Sequence, residues 1–230
     1  MEYLWGGIQG AVILIIRLDA EVFRTVLLSL RVSLIATCFA SLVGIPLGFL
    51  IGTHEFPFKR PVVTVFNTLL SLPTVVVGLF LYSLLSKRGP FGPLGLLFTP
   101  TAMVIGQFIL ATPIIVALTI SAIQAMDPRA KITALTLGAG TVRAAMTVLS
   151  EARFALTAAV IAGFGRVIAE VGTAMMVGGN IKGYTRTMTT AIALETAKGE
   201  FAFGLALGCI LLFVAFSINI LFHYLQAKKG

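Results

Sequence analysis

Charge is scarce in this chain: only 11% of its 230 residues are Asp, Glu, Lys or Arg, and the acidic ones number 9. That is too little polar surface to coat a soluble domain. With 58% hydrophobic residues and a mean hydropathy of +1.02, the solvent this chain is built for is lipid. Cysteine is nearly absent, and Cys38 and Cys209 both fall inside apolar runs, where a free cysteine behaves as a small hydrophobe. Neither a disulfide framework nor a metal-ligand spacing can be read from them. Histidine is limited to His54, in a short loop beside Glu55, and His223, near the end of the last apolar run, which gives no catalytic cluster. The sequence has no GxxxxGK[ST] phosphate loop, no HExxH and no Gly-x-Ser-x-Gly elbow, so any ATP chemistry has to come from a partner. The net charge of +8 is scattered over loops and run ends instead of forming one patch. That distribution argues against nucleic acid and for anionic lipid and an anionic solute.

Long apolar runs are what the chain does have. A helix needs roughly 20 apolar residues to cross the hydrocarbon core at ~1.5 Å per residue. Five segments qualify: Val26 to Ile51, Val62 to Leu85, Ala102 to Ile123, Phe154 to Met176 and Ala202 to Leu225. The chain is therefore expected to be an all-α membrane protein, a single transmembrane domain over residues 1–230. The initial run, Gly7 to Ile16, is too short to cross and ends at Arg17-Leu18-Asp19-Ala20-Glu21. Without a basic start or a cleavage site it reads as an interfacial helix. Five spans put the termini on opposite sides of the membrane. The positive-inside rule does not choose between the two orientations. Lys59, Arg60, Arg129, Lys131, Arg143, Arg153, Lys228 and Lys229 fall on one side, and Arg17, Arg24, Lys87, Arg88, Lys182, Arg186 and Lys198 on the other, eight against seven.

Pro46, Pro73 and Pro113 lie within three of the runs, where each removes a ladder hydrogen bond and predicts a kink. Gly44 with Gly48, and Gly204 with Gly208, are spaced for close helix approach. Arg166 and Glu170 are the strong charges deep in the fourth run, and their i, i+4 spacing puts them on one helical face where they can neutralise each other. Two readings stand side by side: a buried strut between helices, or a pore-lining pair whose arginine meets a passing anion. On either, Glu170→Ala should do more damage than loss of both residues, because the single change strands a charge. Arg31, one turn inside the first run, is expected to snorkel.

Two polar segments carry the remaining signals. Residues 124–153, between the third and fourth runs, contain Asp127-Pro128-Arg129 and then Ala134-Leu135-Thr136-Leu137-Gly138-Ala139. Asp127 suits a helix N-cap, Pro128 the first helical position and Gly138 a break between two short helices. After the fourth run, Gly178-Gly179-Asn180-Ile181-Lys182-Gly183-Tyr184-Thr185-Arg186 predicts an ordered extracytoplasmic loop. Gly179, Asn180, Lys182, Tyr184 and Arg186 are its candidates for docking another protein or gating. Amides of a Gly-Gly-Asn turn beside Lys182 and Arg186 would also suit an oxyanion electrostatically.

These motifs, together with Leu72-Pro73-Thr74-Val75-Val76-Val77-Gly78-Leu79, Ala111-Thr112-Pro113-Ile114 and Ile168-Ala169-Glu170-Val171-Gly172, resemble the permeases of tungstate-type ABC importers, relatives of the molybdate-type permeases. The likeness runs from about Val22 to Leu225. Residues 124–153 resemble the family's EAA loop. With its glycine set on Gly138, Ile132 stands at the glutamate, Thr133 and Ala134 at the alanines, and Val148 at the isoleucine, while Ser150 and Glu151 replace Leu-Pro. The resemblance implies a cytoplasmic coupling loop in which Asp127, Pro128, Arg129, Ala134, Leu137, Gly138 and Ala139 meet the ATPase. It also implies a translocation pathway or gate at Arg166, Glu170, Pro73 and Thr74. The implied assembly is a homodimer of this chain with two ABC ATPase subunits, which bind ATP and Mg, and an extracytoplasmic solute-binding protein that delivers the oxyanion. This chain would need no cofactor of its own, and would sit in the inner membrane with its N-terminus outside and its C-terminus cytoplasmic. Other readings are a molybdate or sulfate permease, a stand-alone secondary anion transporter, which should show inverted repeats that are not found here, and a non-transporting membrane anchor.

Overall fold

The computed structural model describes residues 2–17 and 19–227. Its helices are α1 (Glu2–Ile16), α2 (Ala20–Thr53), α3 (Lys59–Leu69), α4 (Thr74–Leu85), α5 (Pro100–Gln124), α6 (Pro128–Thr136), α7 (Thr141–Glu151), α8 (Arg153–Ile168), α9 (Gly172–Gly178), α10 (Met188–Lys198) and α11 (Phe201–Ala227). No strand occurs among the described residues. Helices α2, α5 and α11 are long and apolar enough to cross a membrane alone. Two bent pairs are long and apolar enough only when each is joined, α3 with α4 at 94° and α7 with α8 at 67°, so by length and composition the described helices allow up to five crossings. The expected five is thus the upper count, and two of the expected runs are not single helices: the second is α3 and α4, and the fourth, from Phe154 to Met176, is α8 and α9.

The second span breaks over residues 70–73. Proline has no N–H to donate and disfavours the helical region for the residue before it, so the helix stops ahead of Leu72. Pro73, extended at φ −67° and ψ 112°, then becomes the N-cap of α4. Pro46 and Pro113 instead lie inside continuous helices. The fourth span breaks at residues 169–171, so Glu170 lies between α8 and α9 and does not share a helical face with Arg166 as the spacing predicted.

Helices α2 and α5 run side by side in the same direction. Gly44, Gly48 and Gly52 face Ile115, Thr119 and Ile123 in step, and a Cβ on Gly48 would come within 2.6 Å of the Thr119 Cβ. This is the close approach expected of small residues four apart. The second pair does not behave the same way, since nothing lies within 4 Å of a Cβ on Gly208. Gly48→Val should therefore destabilise the fold by about 1–3 kcal/mol through overpacking. Thermal melting in detergent checks this, with Gly208→Val, expected to melt like the unsubstituted protein, as the control.

Helix α1 begins earlier than the apolar run indicates and packs on α11, where a Cβ on Gly10 would meet the Ala202 Cβ at 2.8 Å. At 15 residues it is roughly 22 Å long, short of the ~30 Å hydrocarbon core. Cys38 and Cys209 are unpaired and exposed. His54 closes α2, its Nδ1 lying 3.1 Å from the Leu50 carbonyl oxygen. The His223 side chain, Lys228 and Lys229 lie outside the described residues.

Candidate functional site

The two broken spans meet at their breaks. The Thr173 hydroxyl at the start of α9 donates to the Thr74 carbonyl at the start of α4, at 2.7 Å. A Cβ on Gly172 would lie 2.9 Å from the Thr74 hydroxyl and 2.8 Å from a Val75 methyl, so only glycine lets these two helix starts come this close. Glu170 fastens the same point from the other side. One carboxylate oxygen accepts from the Thr173 N–H at 3.0 Å, and the other accepts from Arg166 Nη1 at 2.9 Å. The Thr189 hydroxyl of α10 donates to the Glu170 carbonyl at 2.7 Å. Arg166, Glu170, Pro73 and Thr74, chosen from separate parts of the sequence, thus belong to one junction. The burial is lopsided: the Glu170 side chain is 2% exposed and that of Arg166 is 38% exposed. The pair is a strut with one charged face open to its surroundings. Sequence reasoning missed Gly172, Thr173 and Thr189. The detectable signal was Glu170-Val171-Gly172-Thr173 inside an apolar run, a carboxylate placed to cap a new helix start.

The cytoplasmic-loop candidates form a helical hairpin, α6 packed against α7. Asp127 caps α6, accepting from the Arg129 N–H at 2.9 Å, and Pro128 takes the first helical position. The turn at residues 137–140 depends on Gly138 at φ +83°. The hairpin displays apolar side chains: Leu137 is 82% exposed, Val142 75% and Met146 64%, with Ile132 and Leu135 also exposed. With α7 bent 67° away from α8, this exposed apolar patch lies off the line of the span. The single residue Ala152, 2% exposed, joins α7 to α8, and Val148, Ala152 and Leu156 pack on Ile123 at the end of α5. The hairpin is thereby fixed to two spans with no slack linker.

The loop after α9 differs from its sequence reading. Arg186 is buried, donating to Glu21 at 3.0 Å and to Glu195 at 3.3 Å, so it is a tie between α2 and α10 instead of an available cation. Asn180, at φ +49°, holds α10 through Nδ2 to the Thr190 carbonyl and by accepting from the Thr190 hydroxyl. Gly179 lies under Phe98, whose ring would be 2.7 Å from a Cβ there. The Gly179 N–H donates to the Met175 carbonyl and, just past the Gly-Gly-Asn turn, the Ile181 N–H donates to Thr185 Oγ1, so neither of these two amides is open to an oxyanion. Lys182 and Tyr184 remain exposed, with Lys182 paired to Glu21. Arg31 is exposed on α2, as snorkelling requires.

The chain is 45% identical to the tungstate uptake system permease protein TupB of Campylobacter jejuni, over 98% of this chain and 95% of that protein. It is 40% identical to TupB of Peptoclostridium acidaminophilum, over 99% and 100%. The molybdenum transport system permease protein ModB of Escherichia coli K12 is 29% identical, over 86% and 90%. Among solved structures, the MetNI methionine ABC transporter in an inward-facing form superposes with a TM-score of 0.74 at 14% identity, covering 91% of this chain and 96% of that one. An amino acid ABC transporter solved with histidines gives 0.67 at 15%, covering 93% and 96%. These two likenesses establish the fold. The family described as the binding-protein-dependent transport system inner membrane component matches residues 44–230. With most of its length matched and its broken spans and hairpin assembled into that fold, the chain belongs to the family of inner membrane components of binding-protein-dependent transport systems.

Proposed function

We propose that this chain is the membrane-embedded permease subunit of an ATP-driven importer of a tetrahedral oxyanion, and that the oxyanion is tungstate. The observation that carries the substrate is the gap in likeness: 45% and 40% identity to tungstate permeases against 29% to molybdenum permeases, all over most of the chain. Molybdate is the second reading, favoured by that same 29%. The assembly is a homodimer of this chain with two ATPase subunits and an extracytoplasmic binding protein, its N-terminus outside and its C-terminus cytoplasmic. ATP and Mg belong to the ATPase.

The proposed mechanism starts at the hairpin. ATP closes the ATPase dimer, the apolar face around Leu137 and Val142 moves with it, and Ala152 transmits the movement to α8 without loss. Helix α8 carries Arg166 in its last turn and ends at the break, where Glu170, Thr173 and Thr74 join the fourth run to the second, so both rotate about that junction. The dianion leaves the docked binding protein and passes the open face of Arg166. This is alternating access driven by the differential affinity of ATP for two states. Lys182 and Tyr184 are the proposed docking contacts.

Selectivity among tungstate, molybdate and sulfate is assigned to the binding protein, because the spans carry too few charges for a tight dianion cage. Calorimetry on the purified permease should show no oxyanion binding in the range of a dedicated receptor; tight binding without the partner would overturn this assignment. Uptake of tungstate and molybdate by cells lacking this gene tests the function itself. Loss of tungstate uptake alone is the expected result. Uptake that survives inactivation of the ATPase would move the chain to the secondary transporters.

A further inference from the structure

A cavity of about 630 Å³ opens between the first three turns of α2 and the loop after α9, and its lining includes Asp19, Glu21, Arg24, Leu27, Leu28, Arg31 and Lys182. The acidic groups on its wall are already engaged. Asp19 accepts from the Glu21 and Val22 N–H groups at 2.9 and 3.2 Å, and Glu21 is held by Lys182 and Arg186. Arg24 and Arg31 are both exposed, and among the described residues no ion pair or hydrogen bond engages either guanidinium. They stand seven residues apart on one face of α2, about 10 Å along the axis. Two uncompensated cations therefore face a cavity whose anions are neutralised.

The depth of the site identifies its chemistry. Leu28 and Val32, which bracket Arg31, pack with Leu85 at the end of α4 and with Ala102 and Met103 in the first turn of α5. Arg31 thus lies where the apolar spans give way to loops, the layer of phospholipid headgroups. Leu27 lines the cavity and is 55% exposed, and Phe23 and Leu34 beside it are exposed as well, so the charged pocket opens onto an apolar surface. A bare oxyanion would fill little of this volume and use none of that apolar wall. A headgroup phosphate with its glycerol and the first acyl carbons uses both.

We infer that Arg24 and Arg31 hold the phosphate of an anionic phospholipid in this cavity. The leaflet follows from the proposed orientation, whereas the lipid chemistry does not depend on transport. The bound lipid braces the start of α2 against the loop that carries Lys182, next to the ion pairs of Glu21 with Arg186.

Native mass spectrometry of the complete importer, released from vesicles of mixed phosphatidylglycerol and phosphatidylcholine, tests this. Wild type should retain phosphatidylglycerol over phosphatidylcholine. R24Q/R31Q should lose that preference by about tenfold or more, the size two interfacial arginines carry, and R24K/R31K should keep most of it. Equal retention of the two lipids by wild type, or an unchanged preference in R24Q/R31Q, overturns the site. So does weakened affinity for the binding protein in R24Q/R31Q with lipid retention intact, which would make the cavity a docking surface. Binding of free tungstate that depends on the two arginines would make it a substrate vestibule and overturn the lipid assignment too. Failure of the importer proposal would appear separately, as absent tungstate uptake with lipid retention unaffected.

Discussion

Gly138→Val is expected to reduce tungstate uptake, by up to about tenfold, in vesicles holding the complete importer, while ATP hydrolysis continues. The cause lies in the backbone. Gly138 sits at φ +83°, and a Cβ placed there would meet nothing within 4 Å, so no neighbour resists a larger side chain. What resists is the left-handed conformation, which costs a non-glycine residue about 1–2 kcal/mol and a β-branched one more. At 1.4 kcal/mol per factor of ten, that shifts the equilibrium between this turn and its alternatives about tenfold, which sets the upper bound of the loss in uptake. Gly138→Asn separates conformation from bulk: asparagine tolerates this region of φ, so uptake should stay within about threefold of wild type. If Val and Asn both leave coupling intact, the turn does not transmit the stroke. Labelling Leu137→Cys from the cytoplasmic side, where its high exposure should make it reactive, checks that the hairpin faces the ATPase.

The hairpin was legible in the sequence because its signals are local. Asp127 caps the helix that follows it through the N–H two residues on, Pro128 begins it and Gly138 turns the chain just past its end, and none of these roles needs a distant partner. Helices α2, α5 and α11 were legible for a similar reason, since uninterrupted hydropathy is itself the physical requirement for crossing lipid. Of the two breaks, the one at Pro73 was signalled by its proline, as an expected kink, and the one at residues 169–171 was not. Hydropathy averages across Leu72-Pro73 and across Ala169-Glu170-Val171 without registering a turn. Proline gave no rule either, because Pro46 and Pro113 sit in helices held together by α2 packing along α5, while the chain at Pro73 turns to let Thr74 meet Thr173. The loop after α9 was misread for want of one pairing. Nothing near Arg186 indicates that Glu21, 165 residues earlier, will bury it. Glycine and charge in that stretch look like an open binding turn until the distant carboxylate is in place.

The unequal burial of Arg166 and Glu170 reorders what their substitutions should do. Sequence spacing made Glu170→Ala the damaging change and the double change the milder one. In the structure, Glu170→Ala strands an arginine that is 38% exposed and can find water, whereas Arg166→Ala strands a carboxylate that is 2% exposed. Breaking a buried pair costs about 3–5 kcal/mol, and with Arg166 this exposed we expect about 2–3 kcal/mol for Arg166→Ala. Glu170→Ala carries a different penalty, because it also leaves the Thr173 N–H without its acceptor, worth about 1–3 kcal/mol. Removing Arg166 as well would not restore that bond, so the Arg166→Ala/Glu170→Ala double variant should melt close to Glu170→Ala. Arg166→Ala/Glu170→Gln should recover most of the loss seen in Arg166→Ala, since glutamine is neutral and still offers Thr173 an oxygen. Thermal melting of the four variants in detergent, read beside tungstate uptake, separates the strut from the pathway. If the pair is a strut alone, uptake should follow melting in every variant. If Arg166 also meets the passing dianion, Arg166→Ala/Glu170→Gln should melt near wild type and still import poorly. That stable but slow variant is the expected result, and full uptake in it would remove Arg166 from the route of the anion.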